Sequence, residues 1–138
     1  MVFFAWAMVP AVREFVGGQN VVLQFFGIML IADLTQYWVH RAFHSFQFLW
    51  RFHAVHHSAR SMDWLAGSRL HLLDIAVTRA LSYLPIFLLG FAEGPLFAYI
   101  VFVSFHATFI HSNFRFEFGP LQWLFATPRF HHWHTPPI

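Results

Sequence analysis

The sequence holds no cysteine. Disulfides, thiolate–zinc sites, cysteine-ligated iron–sulfur clusters and cysteine nucleophiles are therefore excluded. Any metal must be held mainly through nitrogen or oxygen. Charge is scarce as well. Only 10% of the residues are charged, against about 25% in ordinary soluble domains. There is no lysine, and the eight cations are all arginine, for a formal net charge of +2. No basic run is interleaved with polar residues, so nucleic acid is not expected as a partner. No glycine-rich GxGxxG stretch occurs, which leaves out a nicotinamide or flavin domain of that type. A haem-carrier domain, an internal repeat and a low-complexity tract are also not seen.

What fills the chain is apolar. Hydrophobic residues make up 58% and aromatic residues 21%, including twenty phenylalanines and six tryptophans. A composition so poor in charge points to a chain solvated mainly by lipid. Its 138 residues suit one domain, 1–138. Residues 1–9 are apolar but too short to span a bilayer. They carry no basic n-region and no small-residue cleavage site, so no signal peptide is expected. Pro10 and the pair Gly17–Gly18 predict a break. From Asn20 to His40 the chain is long enough to cross a hydrocarbon core, which needs roughly 20 helical residues. Leu72–Gly90 and Pro95–His111 read as a helical hairpin joined by "FAEG", with a kink predicted at Pro85. The link carries Glu93 and no cation, whereas Arg41, Arg51, Arg60, Arg69, Arg115 and Arg129 lie at the other ends. Short arginine-rich loops stay cytosolic. The expected fold is all-α: an integral membrane helical bundle with a cytosolic, histidine-rich metal-binding cap.

The histidines are grouped. His40 and His44 are four apart, which stacks them on one helix face with Cβ atoms about 5–6 Å apart. His56 and His57 follow His53 by three and four, again predicting one helix face. "TPRFHHWHT" supplies His131 and His134, with His132 beside them as a more peripheral residue. His111 ends the hairpin and His71 precedes it. His106 lies five residues before His111, about 140° around a helix of 3.6 residues per turn, and reads as a supporting polar residue. A site built from imidazole suits iron, zinc or copper. One ion rarely needs more than four to six ligands, so nine candidates suggest two ions. Zinc alone is redox-inert.

The ordered set "DLTQYWVHRAFH", "LWRFHAVHHS", "RLH", "FIHSN", "GPL" and "TPRFHHWH" resembles the fatty acid hydroxylase / sterol desaturase superfamily, membrane oxygenases built on histidine boxes. The resemblance spans roughly residues 30–135. It matches His40 and His44 to the first box, and His53, His56 and His57 to the second. His71 and His111 match the histidines that flank the hairpin, and His131 and His134 the last box. That box's final histidine falls on Thr135. Family members commonly carry further membrane helices, so a chain truncated at both ends is expected. The resemblance implies two iron ions, with zinc as a possible substitute, and dioxygen as co-substrate. It implies hydroxylation or desaturation of an unactivated C–H bond of a lipid or sterol. The electrons then come from a separate cytochrome b5-like protein, ferredoxin or reductase. The implied location is the endoplasmic reticulum of a eukaryote or the inner membrane of a bacterium, with the boxes on the cytosolic side.

Some readings stay open. Asp33, two helical turns before His40, is either a carboxylate that orients a ligand imidazole or a polar residue satisfied in the bundle. Trp38, Phe43, Trp50 and Trp64 either line a lipid path or form an interfacial aromatic belt. The whole chain is either an oxygenase or a catalytically degenerate, metal-binding remnant, the second favoured by Thr135. A bis-histidine haem protein and a zinc hydrolase fit less well. The histidines cluster at an interface, and no glutamate is placed near the HxxxH.

Overall fold

The computed structural model describes residues 2–59, 65–114, 118–123, 126–129 and 131, with 2–8, 66, 121 and 123 described by backbone alone. Every regular element among them is helical. Helix α1 is Val2–Gly17, α2 Val21–Ser45, α3 Gln47–His53, α4 Leu72–Leu89 and α5 Glu93–Ile110. Short 3₁₀ turns occupy His56–Ser58, Ala66–Ser68 and Gly119–Trp123.

Helices α2, α4 and α5 are long and apolar enough to cross a membrane. At 1.5 Å per residue, 18 residues span about 27 Å, close to the thickness of a hydrocarbon core. Their outer faces are apolar: Phe87, Phe97 and Phe105 are all exposed, the last at 75%. An apolar surface this extensive requires lipid around it. The chain is a multi-pass membrane protein with an all-helical fold.

The predicted break at Pro10 does not occur, because α1 continues through it to Gly17. Likewise α4 runs through Pro85 to Leu89. Proline's fixed φ is itself helical. Its cost is one lost hydrogen bond and a ring clash, which bend a helix more readily than they end it.

The chain divides into two compact units, residues 1–42 with 76–101 and residues 43–75 with 102–138. The first unit holds the starts of α2 and α5 and the end of α4. Among the described residues its buried apolar residues are Ile28, Ala32, Val39, Ile86, Pro95 and Tyr99. Gln24, 3% exposed, ties the helix ends together. Its Nε2 donates to the carbonyls of Gly17 (3.0 Å) and Gln19 (2.9 Å), and its Oε1 accepts from the Ala92 N–H (2.8 Å). Arg13 donates to the Phe87 carbonyl at 2.7 Å, capping the last turn of α4. Gly90 follows with φ +79°, and a Cβ there would lie 2.8 Å from the Arg13 Cβ. Only glycine meets both demands.

The second unit collects the opposite ends: the last residues of α2, the first turn of α4 and the last turns of α5, together with α3 and the 3₁₀ turns. Among the described residues its buried side chains are mostly polar: His53, Asp74, His111 and Thr127 accompany Phe43 and Pro128.

Candidate metal centre

Histidines from four separate stretches meet in the second unit. His44 lies at the end of α2, where the helix stops at Ser45 and Phe46 turns extended (φ −104°, ψ 117°). The chain re-enters helix α3, which ends on His53. The rings of His44, His53 and His57 then stand mutually close, with centroids 5.0 Å apart for His44–His53, 4.9 Å for His44–His57 and 4.9 Å for His53–His57. Each offers one ring nitrogen within 4.8 Å of the others. His40 precedes His44 by one turn of α2 and so shares its helix face.

A second group forms from His56, His111 and His131, again with one ring nitrogen each within 4.8 Å. The ring centroids are 5.2 Å apart for His56–His111, 4.3 Å for His111–His131 and 6.1 Å for His56–His131. His111 follows the C-terminus of α5, and its Nδ1–H donates to the Ala107 carbonyl at 2.6 Å. That bond leaves Nε2 facing the Nε2 of His56 at 3.5 Å. Gly67 lies against this ring: a Cβ there would be 2.8 Å from Nδ1 and 3.0 Å from Cγ. His131 is fixed by its own N–H, which donates to the Thr127 carbonyl at 3.0 Å.

The expectation that His53, His56 and His57 share one helix face is corrected. Helix α3 ends at His53 and a 3₁₀ turn begins at His56. The change of period sends His57 to the first group and His56 to the second. The groups remain neighbours, since the His56 ring is 5.4 Å from His53 and 5.5 Å from His57.

The donor set fits metal ions. Two nitrogens bound to one ion at about 2.0–2.1 Å, at a tetrahedral angle, stand roughly 3.4 Å apart. The His56–His111 separation of 3.5 Å matches this. Charge points the same way. Burial, helped by the neighbouring His111 and His53, holds His56 far below the ordinary imidazole range, at about 4, against a smaller opposing pull from the Arg69 backbone and Asp74. The neutral, ligating form is thus the one favoured at neutral pH.

Other predicted residues fall elsewhere. His71 joins neither group. It is exposed, its ring lies 4.9 Å from that of Phe52, and its Nδ1 accepts from the Leu73 N–H at 3.1 Å, capping the start of α4. A cap position turns the ring along the helix axis. His106 supports the segment leading to His131: Nε2–H donates to the Ala126 carbonyl at 2.9 Å, and the ring stacks on Phe102. Asp33 is exposed on α2. His132, His134, Thr135 and Trp64 lie outside the described residues. Of the aromatic residues, Phe43 is fully buried and stacks on His53 at 5.3 Å, whereas Trp38 is exposed, as a membrane-interface residue would be. Trp50 is half-exposed, packs on His44 and His57, and lines an open cleft of about 360 Å³ with His44, Ser45 and Gln47. A carboxylate that reaches a histidine is Asp74. Its Oδ2 accepts from His53 Nδ1 at 2.7 Å, with both residues buried. Its signal in the sequence was an acid in the first turn of an otherwise apolar span.

The model of the family described as "Fatty acid hydroxylase" matches residues 25–136. The chain belongs to the fatty acid hydroxylase family. It is 39% identical over 107 residues to an ornithine lipid hydroxylase of Rhizobium tropici, covering 77% of this chain and 32% of that protein. It is also similar to alkylglycerol monooxygenase of Xenopus tropicalis (29% identical, 83% of this chain, 25% of the relative). Methylsterol monooxygenase 1 of Danio rerio is a further relative (26%, 80% and 39%). The chain therefore spans between a quarter and about two fifths of the length of these relatives. No solved structure matches it. The fatty acid hydroxylase family is one of iron-dependent monooxygenases, in keeping with an imidazole-built site.

Proposed function

We propose that the chain is the metal-bearing domain, residues 1–138, of an O₂-dependent hydroxylase acting on a membrane lipid. The observation that carries this reading is the pair of imidazole groups. His44, His53 and His57, with His40 on the same helix face, would hold one ion. His56, His111 and His131 would hold a second, with His134 as a further ligand from the last box. Iron bound there supplies the redox chemistry by which an unactivated C–H bond and O₂, with two electrons and two protons from outside, give an alcohol and water.

The protein's own part is to hold the imidazoles neutral, with their lone pairs turned inward, and to bring the substrate to them. Burial and neighbouring rings keep His56 unprotonated. The Ala107 carbonyl fixes the His111 tautomer by accepting its Nδ1–H. Three helices long and apolar enough to cross a membrane favour a substrate that reaches the site from the bilayer. The similarity to an ornithine lipid hydroxylase favours an amphipathic acyl lipid over a sterol, the sequence similarity to the sterol enzyme being lower. Positive-inside arginines favour a cytosolic site served by a separate electron carrier, cytochrome b5-like or ferredoxin-like.

The test is to purify the chain in detergent, measure bound metal, and supply O₂, a reductase system and acyl lipids. About two irons per chain with O₂-dependent hydroxylated product is expected. Zinc after overexpression is read only after exchange, because Zn²⁺ displaces Fe²⁺ from such ligands. Iron well below two per chain without product would favour the remnant reading that Thr135 suggests. In that case Thr135→His should raise the metal retained, and no rise counts against a ligand position there.

A further inference from the structure

We propose that Asp74 is a positioning residue for the metal centre. It holds His53 in the tautomer whose Nε2 is the ligating nitrogen, and it makes that nitrogen a stronger donor. The inference rests on the reading of His44, His53 and His57 as ligands.

His53 Nδ1 and Asp74 Oδ2 are 2.7 Å apart, at the short end of charge-assisted hydrogen bonds. His53 is 3% exposed and Asp74 4%, so water does not dilute the contact. Asp74 is acceptor-only when ionised, which puts the hydrogen on Nδ1. In a neutral imidazole the remaining lone pair is then on Nε2. The ring cannot easily turn away. Phe43 stacks on it at 5.3 Å with an interplanar angle of 28°, and the rings of His44 and His57 close on it edgewise. A hydrogen-bonded carboxylate also raises the electron density of the ring, which strengthens a bond to a cation.

These two rings are backed by different acceptors. His53 is backed by an anionic carboxylate, whereas His111 is backed by the neutral Ala107 carbonyl. A full charge bonded directly to His53 predicts that the His53 group depends on Asp74 more than the other group does. Asp74 is also in the first turn of α4, where any acid stabilises a helix N-terminus. A role confined to the helix end would not act through His53, and that separates the two explanations.

The experiment is a Co²⁺ titration of the whole purified chain in detergent, followed by absorbance of the bound metal and by equilibrium dialysis. The variants are Asp74→Ala, Asp74→Asn, His53→Ala and the double variant Asp74→Ala/His53→Ala. The wild type is expected to take two Co²⁺. Asp74→Ala should weaken the ion at the His53 group by about 10- to 100-fold and the other by less, since Asp74 reaches His56 of that group only through space. Asp74→Asn keeps an oxygen that can accept from Nδ1–H but loses the charge, so a loss near 10-fold is expected. It also carries the test if the alanine variant does not fold. In the double variant the Asp74 change should add nothing to His53→Ala, as for two residues acting through one contact. Wild-type affinity in a folded Asp74 variant, or a loss that adds fully to that of His53→Ala, overturns this inference alone. A wild-type chain that binds no Co²⁺ overturns the metal reading and this inference with it.

Discussion

Replacing Gly67 with alanine adds one methyl group and has opposite consequences on two scales. The residue lies in the 3₁₀ turn Ala66–Ser68, in a backbone conformation open to L residues. Stiffening the unfolded chain would by itself stabilise the fold by about 0.4–1 kcal/mol. Against this, the new Cβ meets the His111 ring at 2.8 Å from Nδ1, 3.0 Å from Cγ and 3.1 Å from Cε1. Ordinary contact begins near 3.4 Å, so the ring must retreat by about half an ångström. It has little room, being held by the Ala107 carbonyl at 2.6 Å on one side and facing His131 and His56 on the other. Overpacking of this kind costs about 1–3 kcal/mol. The steric cost exceeds the entropic gain, leaving a net loss of about 1–2 kcal/mol. Because the displaced ring carries one of the nitrogens proposed to bind the second ion, metal should suffer first. The expected result is roughly a tenfold weaker second ion by Co²⁺ titration, with the ion at His44, His53 and His57 unchanged, and a lower thermal midpoint in detergent. A Gly67→Ala chain with both ions at wild-type affinity and a raised midpoint would refute the placement of Gly67 beneath His111.

Gln24→Leu removes three hydrogen bonds at a buried junction and leaves two carbonyls and one N–H to find other partners. At about 1–3 kcal/mol for a buried group left unsatisfied, and with some relaxation, the loss should be about 2–4 kcal/mol in thermal or denaturant unfolding, without loss of metal from a chain still folded. Because His56 has a folded pKa near 4 against 6.5 unfolded, the unfolded state takes up the proton first as acid is added. The metal-free protein should therefore lose stability as pH falls from about 6.5 to about 4 and gain little above it; a His56→Gln chain should show a shallower slope, and an identical slope would refute the assignment. Removing metal with a strong chelator should raise amide hydrogen exchange in residues 43–59 and 102–114 more than in 20–40 and 76–100. Uniform protection after removal would show that the ions do not hold the second unit.

The membrane spans were legible because hydropathy over some twenty residues is a sum in which single errors cancel. Asn20–His40 was predicted and Val21–Ser45 is seen; the helix is longer because nothing in "RAFHS" breaks it until the extended Phe46. The histidine groups were legible as spacings, but their partition was not. The one-residue difference between His56 and His57 decides which group each joins, and it depends on where α3 tightens into a 3₁₀ turn. His71 was matched by its place in a motif, yet the backbone at the head of α4 uses its Nδ1 as a cap. Asp74 carries no local pattern that ties it to a histidine, 21 residues separating it from His53. Contact between residues 53 and 74 is a property of the folded chain, and no local period encodes it. The polar locks Gln24 and Arg13 were hidden for the same reason, since Gln24 accepts from the Ala92 N–H 68 residues away and Arg13 donates to a carbonyl 75 residues away.

The two units differ in what holds them. Among the described residues the first has six buried apolar residues, Pro95 included, and bonds from Gln24 and Arg13 to backbone groups that close its helix ends. The second buries Phe43 and Pro128 among its described residues, and otherwise fills its interior with imidazoles, a carboxylate and a threonine. Burying neutral imidazole without compensation is costly, and an interior of this kind does not form through the hydrophobic effect alone. Ions bound by His44, His53 and His57, and by His56, His111 and His131, would supply that compensation and cross-link α2, α3, α5 and the segment at His131 at once. Metal affinity and the folding of this unit are then one quantity measured in two ways. Under that coupling Gly67, against the His111 ring, and His106, bonded to the Ala126 carbonyl ahead of His131, would each shape the second unit and tune its hold on metal by the same contact.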